Sequence, residues 1–422
     1  MKFNYGKIFL LGFGFFGVSV IWGVYNGFVP LFLANKFDLS PAWIGFFMTL
    51  DNIAALFIQP PVGAWSDRLR TPIGRRMPFI LIGAPIGALA FGLIPIASIL
   101  PLFVACTSTL LLSMAFWRTP VIALMADITP SQFRSQANGI INFMGGLGAI
   151  IAFLGGARLY DINPAFPFWL GSALVILSSI LVLVFIKEPK VFVNEGEEQP
   201  GMVKSLREVI HDPDKSALRL LLAIFFWFVA YSAVEAFFSL YAVKRLLMAD
   251  SDGPRLLGQL SLIFVIFALP AGIMGSRIGR KLTISIGICF MSVAMITMFL
   301  MPVSLLTQLV TTLPVLGKIP VVGLLLMLAG AAWALININS LPMVVDMTDI
   351  SRVGTYTGLY YLFSTLSAIV GPNLNGLIIE LSGRNYNNIM LAAPIFMLVA
   401  LALMVGVHKG EAAQPAAVGE SS

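Results

Sequence analysis

Twelve apolar runs, most of them about twenty residues or longer, leave this chain little choice but to fold as a bundle of membrane-crossing helices. Wound at ~1.5 Å per residue, about twenty such residues cover the ~30 Å hydrocarbon core of a bilayer. The runs are apolar on every face instead of alternating, so they do not read as barrel strands. They fall at roughly 8–34, 42–65, 77–97, 101–126, 137–159 and 166–187, then 217–243, 257–276, 281–303, 319–345, 355–380 and 388–408. Only 11% of the chain is charged, where a soluble protein carries about a quarter. The expected fold is an all-α polytopic membrane protein, twelve helices in two pseudo-symmetric bundles of six.

The polar segments divide the chain. Residues 1–187 form a first six-helix bundle, 188–216 a linker with a short amphipathic helix near 203–210, 217–408 a second bundle, and 409–422 a small polar tail expected to be disordered. Basic residues gather in alternate loops. Arg68, Arg70, Arg75 and Arg76 share one, the linker and its flanks hold Lys187, Lys190, Lys204, Arg207, Lys215 and Arg219, and Arg277, Arg280 and Lys281 share another. By the positive-inside rule these loops and both termini are cytoplasmic, in a multi-pass protein of the plasma membrane. That distribution, and not nucleic-acid binding, accounts for the net charge of +6. Cys106 and Cys289 both lie in apolar runs and indicate neither a disulfide nor a metal site. The first run is too long for a signal-peptide core.

Two loops repeat. Gly63-Ala64-Trp65-Ser66-Asp67-Arg68, followed by Gly74-Arg75-Arg76-Met77-Pro78-Phe79-Ile80, lies between the second and third runs. Gly272-Ile273-Met274-Gly275-Ser276-Arg277-Ile278-Gly279-Arg280-Lys281 occupies the same place in the second half. Asp127 with Arg134, and Asp346 with Arg352, likewise close the fourth run of each half and open the fifth. Two loop matches at equivalent positions make an internal duplication the simplest reading.

These residues resemble the major facilitator superfamily, whose signature between spans two and three is Gly-x-x-x-Asp-Arg/Lys-x-Gly-Arg-Arg/Lys. The second copy keeps that spacing with Ser276 in place of the acid, and the first carries four extra residues before Gly74. That longer form, with Gln59-Pro60-x-Val62-Gly63 before it, looks like the sucrose/proton symporter branch and the related glycoside–pentoside–hexuronide:cation symporters. Plant sucrose symporters place an arginine where this chain has Ile122; Arg118, one helical turn earlier, is the substitute on offer. The resemblance implies a secondary transporter that alternates access between two bundles. Gly63, Asp67, Arg68, Gly74, Arg75 and Arg76, with Gly272, Arg277, Gly279 and Arg280, would form its gating motifs, Asp67 pairing with arginines across the halves. Asp127–Arg134 and Asp346–Arg352 would be auxiliary latches.

Charges inside spans are costly and mark pathways or partners. Asp51, Arg118 and Glu235 qualify. Counted from the cytoplasmic helix ends, the acids stand ~24 and ~27 Å up and the arginine ~14 Å. A carboxylate taken out of water holds its proton more tightly and can exchange it near neutral pH. Asp51 and Glu235 are therefore the candidate proton carriers and Arg118 their modulator. The alternative is a structural pairing, or an outer-interface position for the acids.

Amides suit a hydroxyl-rich solute, and aromatic rings cover the C–H faces of sugars. Asn26, Asn52, Asn142, Asn337, Asn339 and Asn373, with Tyr231 and Tyr360, are the candidate substrate contacts. Each has the alternative of bonding or packing between helices. Nothing in the chain matches a Gly-x-x-x-x-Gly-Lys-Ser/Thr loop or a Gly-x-Ser-x-Gly elbow, so ATP-driven transport and intramembrane catalysis are not expected. The expectation is proton-coupled symport of a sugar or glycoside by a monomer in the bilayer, without cofactor, with sodium as the other coupling ion. Proton-coupled export of a drug-like or metabolite solute is the second reading. A transport-inactive receptor or lipid-handling protein on the same scaffold is the third.

Overall fold

The computed structural model describes residues 5–129, 134–188, 202–348 and 352–411; the tail beyond Glu411 and most of the linker before Met202 lie outside them. Among the described residues, twelve helices are long and apolar enough to cross a membrane. Spans 1 to 6 are Tyr5–Asn35, Pro41–Arg68, Met77–Ile96, Leu100–Met125, Gly139–Ile162 and Phe166–Phe185. Spans 7 to 12 are Ser216–Lys244, Asp252–Ile278, Arg280–Leu300, Val321–Val345, Val353–Leu381 and Asn388–Val405. Span 8 begins a full turn before the apolar stretch that announces it, and it ends at Gly279, whose positive φ stops the helix.

The duplication is visible in the packing. Span 1 lies against spans 5 and 6 as span 7 lies against 11 and 12, and span 3 packs on 4 and 6 as span 9 packs on 10 and 12. The halves meet where span 1 faces 7, span 2 faces 11 and span 5 faces 8. Span 3 turns Leu81, Ile82, Ile86 and Leu89 outward, a lipid-facing stripe.

Two spans are irregular where they face the other half. Span 2 is three helical pieces, Pro41–Phe47, Leu50–Phe57 and Gln59–Arg68. The second break falls at Ile58, just before Pro60 and Pro61, whose missing N–H groups interrupt the helical ladder. Span 5 widens into a π-helical turn at Ile151–Gly155, and Leu154 of that turn seats over Gly258 of span 8.

Outside the spans, a linker helix at Met202–His211 overlaps the expected 203–210. An antiparallel hairpin, β1 (Leu309–Leu313) and β2 (Gly317–Pro320), joins spans 9 and 10 where the sequence reading placed only a loop.

Candidate substrate and coupling site

Span 1 shows how the site is made. Between Val20 and Leu33 every residue is buried except Trp22 and Asn26, which continue a stripe with Phe15 and Ser19 at spacings of four, three and four. On span 7, between Val229 and Ala242, only Tyr231, Ser232 and Glu235 keep surface free. The two stripes face each other at the centre of the molecule, and Asn26 Nδ2 donates to Glu235 Oε1 at 3.4 Å. This contact joins one half to the other.

Around it stand the other two charges. Asn52 Nδ2 donates to Asp51 Oδ1 at 2.9 Å, and Asp51 lies within electrostatic reach of Arg118 on span 4 and of Glu235. Arg118 in turn feels Tyr361 of span 11. All three charged side chains are half-buried. Tyr231 stacks on Trp333 of span 10, rings 3.9 Å apart and 4° from parallel, with Phe228 edge-on to the same indole at 5.2 Å. The result is a flat aromatic wall beside an amide, two carboxyls and a guanidinium.

The remaining candidate amides lie elsewhere. Asn339 is buried and donates to the Ala271 and Leu335 carbonyls at 3.0 and 2.9 Å, tying span 10 to span 8. Asn373 donates to Thr49 Oγ1 at 3.1 Å and to Ile369 O at 2.8 Å, where span 11 closes on span 2. Asn142 is exposed. Gly12 packs on Met144, and Gly23 on Ala149 and Ala152. Asn142 therefore sits near the level of Gly12, about 20 Å along span 1 from Asn26. Tyr360 shares a 3.1 Å hydrogen bond with Ser340 and is nearly buried, and Asn337 remains half-buried on span 10.

The signature loops form two matching charge clusters. In the first half, Arg75 Nη2 donates to Asp127 Oδ1 at 2.6 Å and Arg76 Nε to Asp127 Oδ2 at 3.0 Å, while Arg76 also holds Asp67 and Ser66. In the second, Arg280 holds Asp346 and the Pro342 carbonyl. Two acids that sequence reasoning missed complete the clusters. Glu188, just after span 6, accepts from Arg76 N at 2.9 Å; Glu411, just after span 12, accepts from Arg280 N at 2.6 Å and Lys281 N at 3.0 Å. Each carboxylate caps the start of the third helix of its half, where free N–H groups and the helix dipole favour an anion. Gly74 and Gly279, with φ of +116° and +94°, make the turns, and a Cβ on Gly74 would run into the Glu188 carboxylate. The only sequence signal for these caps was an acid at matching places after the sixth span of each half.

Three expected pairings differ. Asp67 is held by Arg76 of its own half, because the halves are parted at this end. Asp127 takes Arg75 and Arg76, and Asp346 takes Arg280; the side chain of Arg134 lies outside the described residues. Arg352 pairs with Glu208 of the linker helix. Gly63 lets span 2 approach Thr119 of span 4, Gly272 lies close to Ile338, and Arg68 and Arg277 are exposed.

At the opposite end the halves are locked. Glu380 of span 11 accepts from Ser40 Oγ at 2.8 Å and Ala42 N at 3.0 Å, and Asp161 pairs with Arg255 at 2.9 Å. Gly45 and Gly376 bring the span 2 and span 11 backbones together. Pro41–Phe47 of span 2 packs closely on span 11 and Leu50–Phe57 less so, so the halves draw apart from this end toward the signature loops. The central cavity is thus closed at the far end and opens toward the signature loops.

Two pseudo-symmetric bundles, parted at one end, locked at the other and enclosing charged groups midway, define a membrane carrier rather than an enzyme. The Major Facilitator Superfamily pattern matches residues 11–304 and 256–421, and the chain belongs to that family. It is 23% identical over 396 residues to "Multidrug resistance protein 2" of Bacillus subtilis, covering 92% of this chain and 91% of that one. It is 25% identical over 163 residues to a sucrose transport protein of Arabidopsis thaliana, covering 33% of this chain and 27% of that one. In structure it is similar to the nucleoside transporter NupG, with a TM-score of 0.74 at 16% identity, over 95% of this chain and all of the other.

Proposed function

We propose that this carrier couples proton movement to the uptake of a sugar or glycoside. The observation that carries the coupling is the central cluster: one carboxyl from each half, Asp51 and Glu235, with Asn26 of the first half bound to the acid of the second. Protonating Glu235 removes the negative charge that strengthens this bond. The state of one proton therefore bears on how firmly the halves hold together at the site. Arg118 beside Asp51 offers the second acid a counter-charge once its proton leaves. The stacked Tyr231–Trp333 wall supports a sugar, since its flat face suits C–H surfaces while Asn26, Glu235 and Arg118 present hydrogen-bonding groups.

A second reading, proton-coupled export of an amphiphile, is favoured by one observation. Behind Tyr231 and Glu235 lies a small enclosed crevice lined by Leu257, Met291, Met295 and Met397, soft side chains that adapt to varied apolar shapes. The full-length similarity to the Bacillus multidrug resistance protein agrees with it.

The deciding experiment is solute flux in proteoliposomes with proton, sodium or no imposed gradient, using labelled mono- and disaccharides, simple glucosides and lipophilic cations. Proton-driven accumulation of a saccharide or glucoside supports uptake. Flux of the cations against the proton gradient, with no saccharide moved, overturns the sugar reading in favour of export.

A further inference from the structure

The hairpin between spans 9 and 10 belongs neither to the central site nor to the signature loops, and it is held from both halves. Its own half fixes it through Gln259 of span 8, whose Nε2 donates to Leu316 O at 3.1 Å and Lys318 O at 2.8 Å. Gly317, at φ +73°, turns the chain against Arg255, where a Cβ would come within 3.0 Å of Arg255 Cδ. From the other half, Arg158 near the end of span 5 reaches the tip, its Nη2 donating to Pro314 O and, at 3.0 Å, to Val315 O. Arg255 meanwhile pairs with Asp161, three residues beyond Arg158.

These contacts sit where spans 5 and 8 meet at the locked end. A carrier whose halves alternate must part those spans to admit solute from that side, and the Arg158 grip cannot survive the parting. Its acceptors are backbone carbonyls, which do not titrate, so the grip has the same chemistry at any pH and whatever the protonation of Asp51 or Glu235. The neighbouring Asp161–Arg255 pair, with Asp161 half exposed, is open to screening by salt.

We propose that the hairpin is a strap across the far end: Arg158 grips its tip in the closed state and releases it on opening, setting the ratio of the two states. The inference rests on alternation of the halves and not on the identity of the solute.

The test needs no solute. Spin labels are placed at Ile162→Cys and Leu247→Cys, two exposed far-end positions on opposite halves, in a Cys106→Ser, Cys289→Ser background. Distances between them are measured in lipid nanodiscs by double electron–electron resonance. Arg158→Ala is expected to raise the open-to-closed ratio about tenfold, the scale of one charged hydrogen bond, with Arg158→Lys in between. In a second sample, without Arg158→Ala and in the same Cys106→Ser, Cys289→Ser background, the labels are carried by unnatural side chains at the same two positions. There a reducible bis-thiol linker of arginine length joining Arg158→Cys to Val315→Cys is expected to leave only the short distance, and reductant to restore both. Two distances indifferent to Arg158 and to the cross-link overturn the strap alone. A single distance in every variant overturns both the strap and the alternation beneath it.

Discussion

Asn26 and Glu235 are the residues on which the two halves touch across the site, and their neighbours decide what that contact does. Trp333 stiffens one wall by stacking on Tyr231. Trp333→Ala is expected to raise KM for the transported solute about tenfold, near the upper end for one aromatic contact, with Trp333→Phe closer to wild type in flux assays. Arg76 is the buried centre of the first loop cluster, 5% exposed and holding Asp67 and Asp127. Arg76→Ala leaves Asp127 to Arg75 and the half-exposed Asp67 to water, and is expected to cost about 1.5–3 kcal/mol, the scale of a hydrogen bond to a charged group, read as a lower thermal midpoint in detergent. Outside the spans, hydrogen bonds from Lys409 and Ser216 hold the Asp214 carboxyl well below its usual value. A depressed folded-state value means this tie contributes fully above the unfolded value of about 4 and is lost as pH falls below it. The thermal midpoints of wild type and Asp214→Asn should differ at pH 7 and converge in acid. The three intramembrane charges could be read from the chain because a charge in an apolar run stands out. The fate of the amides could not: nothing local distinguishes Asn26, aimed across the halves, from Asn339, consumed by the Ala271 carbonyl.

At the scale of elements, the spans were legible because an apolar run of bilayer length has few other uses. Features set by distant partners were not. Glu188 lies 112 residues from the Arg76 amide it caps, and Glu411 lies 131 from that of Arg280. Neither acid has a local signature beyond its place after a sixth span. Glu411→Gln is expected to cost about 0.3–1 kcal/mol of helix-start stabilisation, and Glu188→Gln more, since its buried carboxyl also faces Arg75. Differential scanning fluorimetry of the two variants checks that order. The hairpin escaped because Leu309–Leu313 is short and exposed throughout, and its pairing with Gly317–Pro320 turns on the contacts of Gly317 with span 8.

Across the whole molecule, the duplication in the sequence becomes a duplication of contacts, and the departure from symmetry lies in the ends: one parted, one locked. A water-soluble thiol reagent is expected to modify Tyr361→Cys, half exposed on span 11, and to spare Thr49→Cys, fully buried at the far end. The direction of alternation and the coupling then rest on the central acids. The most direct measurement is gradient-driven accumulation against solute exchange without a gradient, compared in proteoliposomes of wild type and Glu235→Gln. The account predicts that Glu235→Gln loses accumulation and keeps exchange, because the solute still binds and the halves still rock without a proton to carry. Full proton-driven accumulation in Glu235→Gln would contradict it.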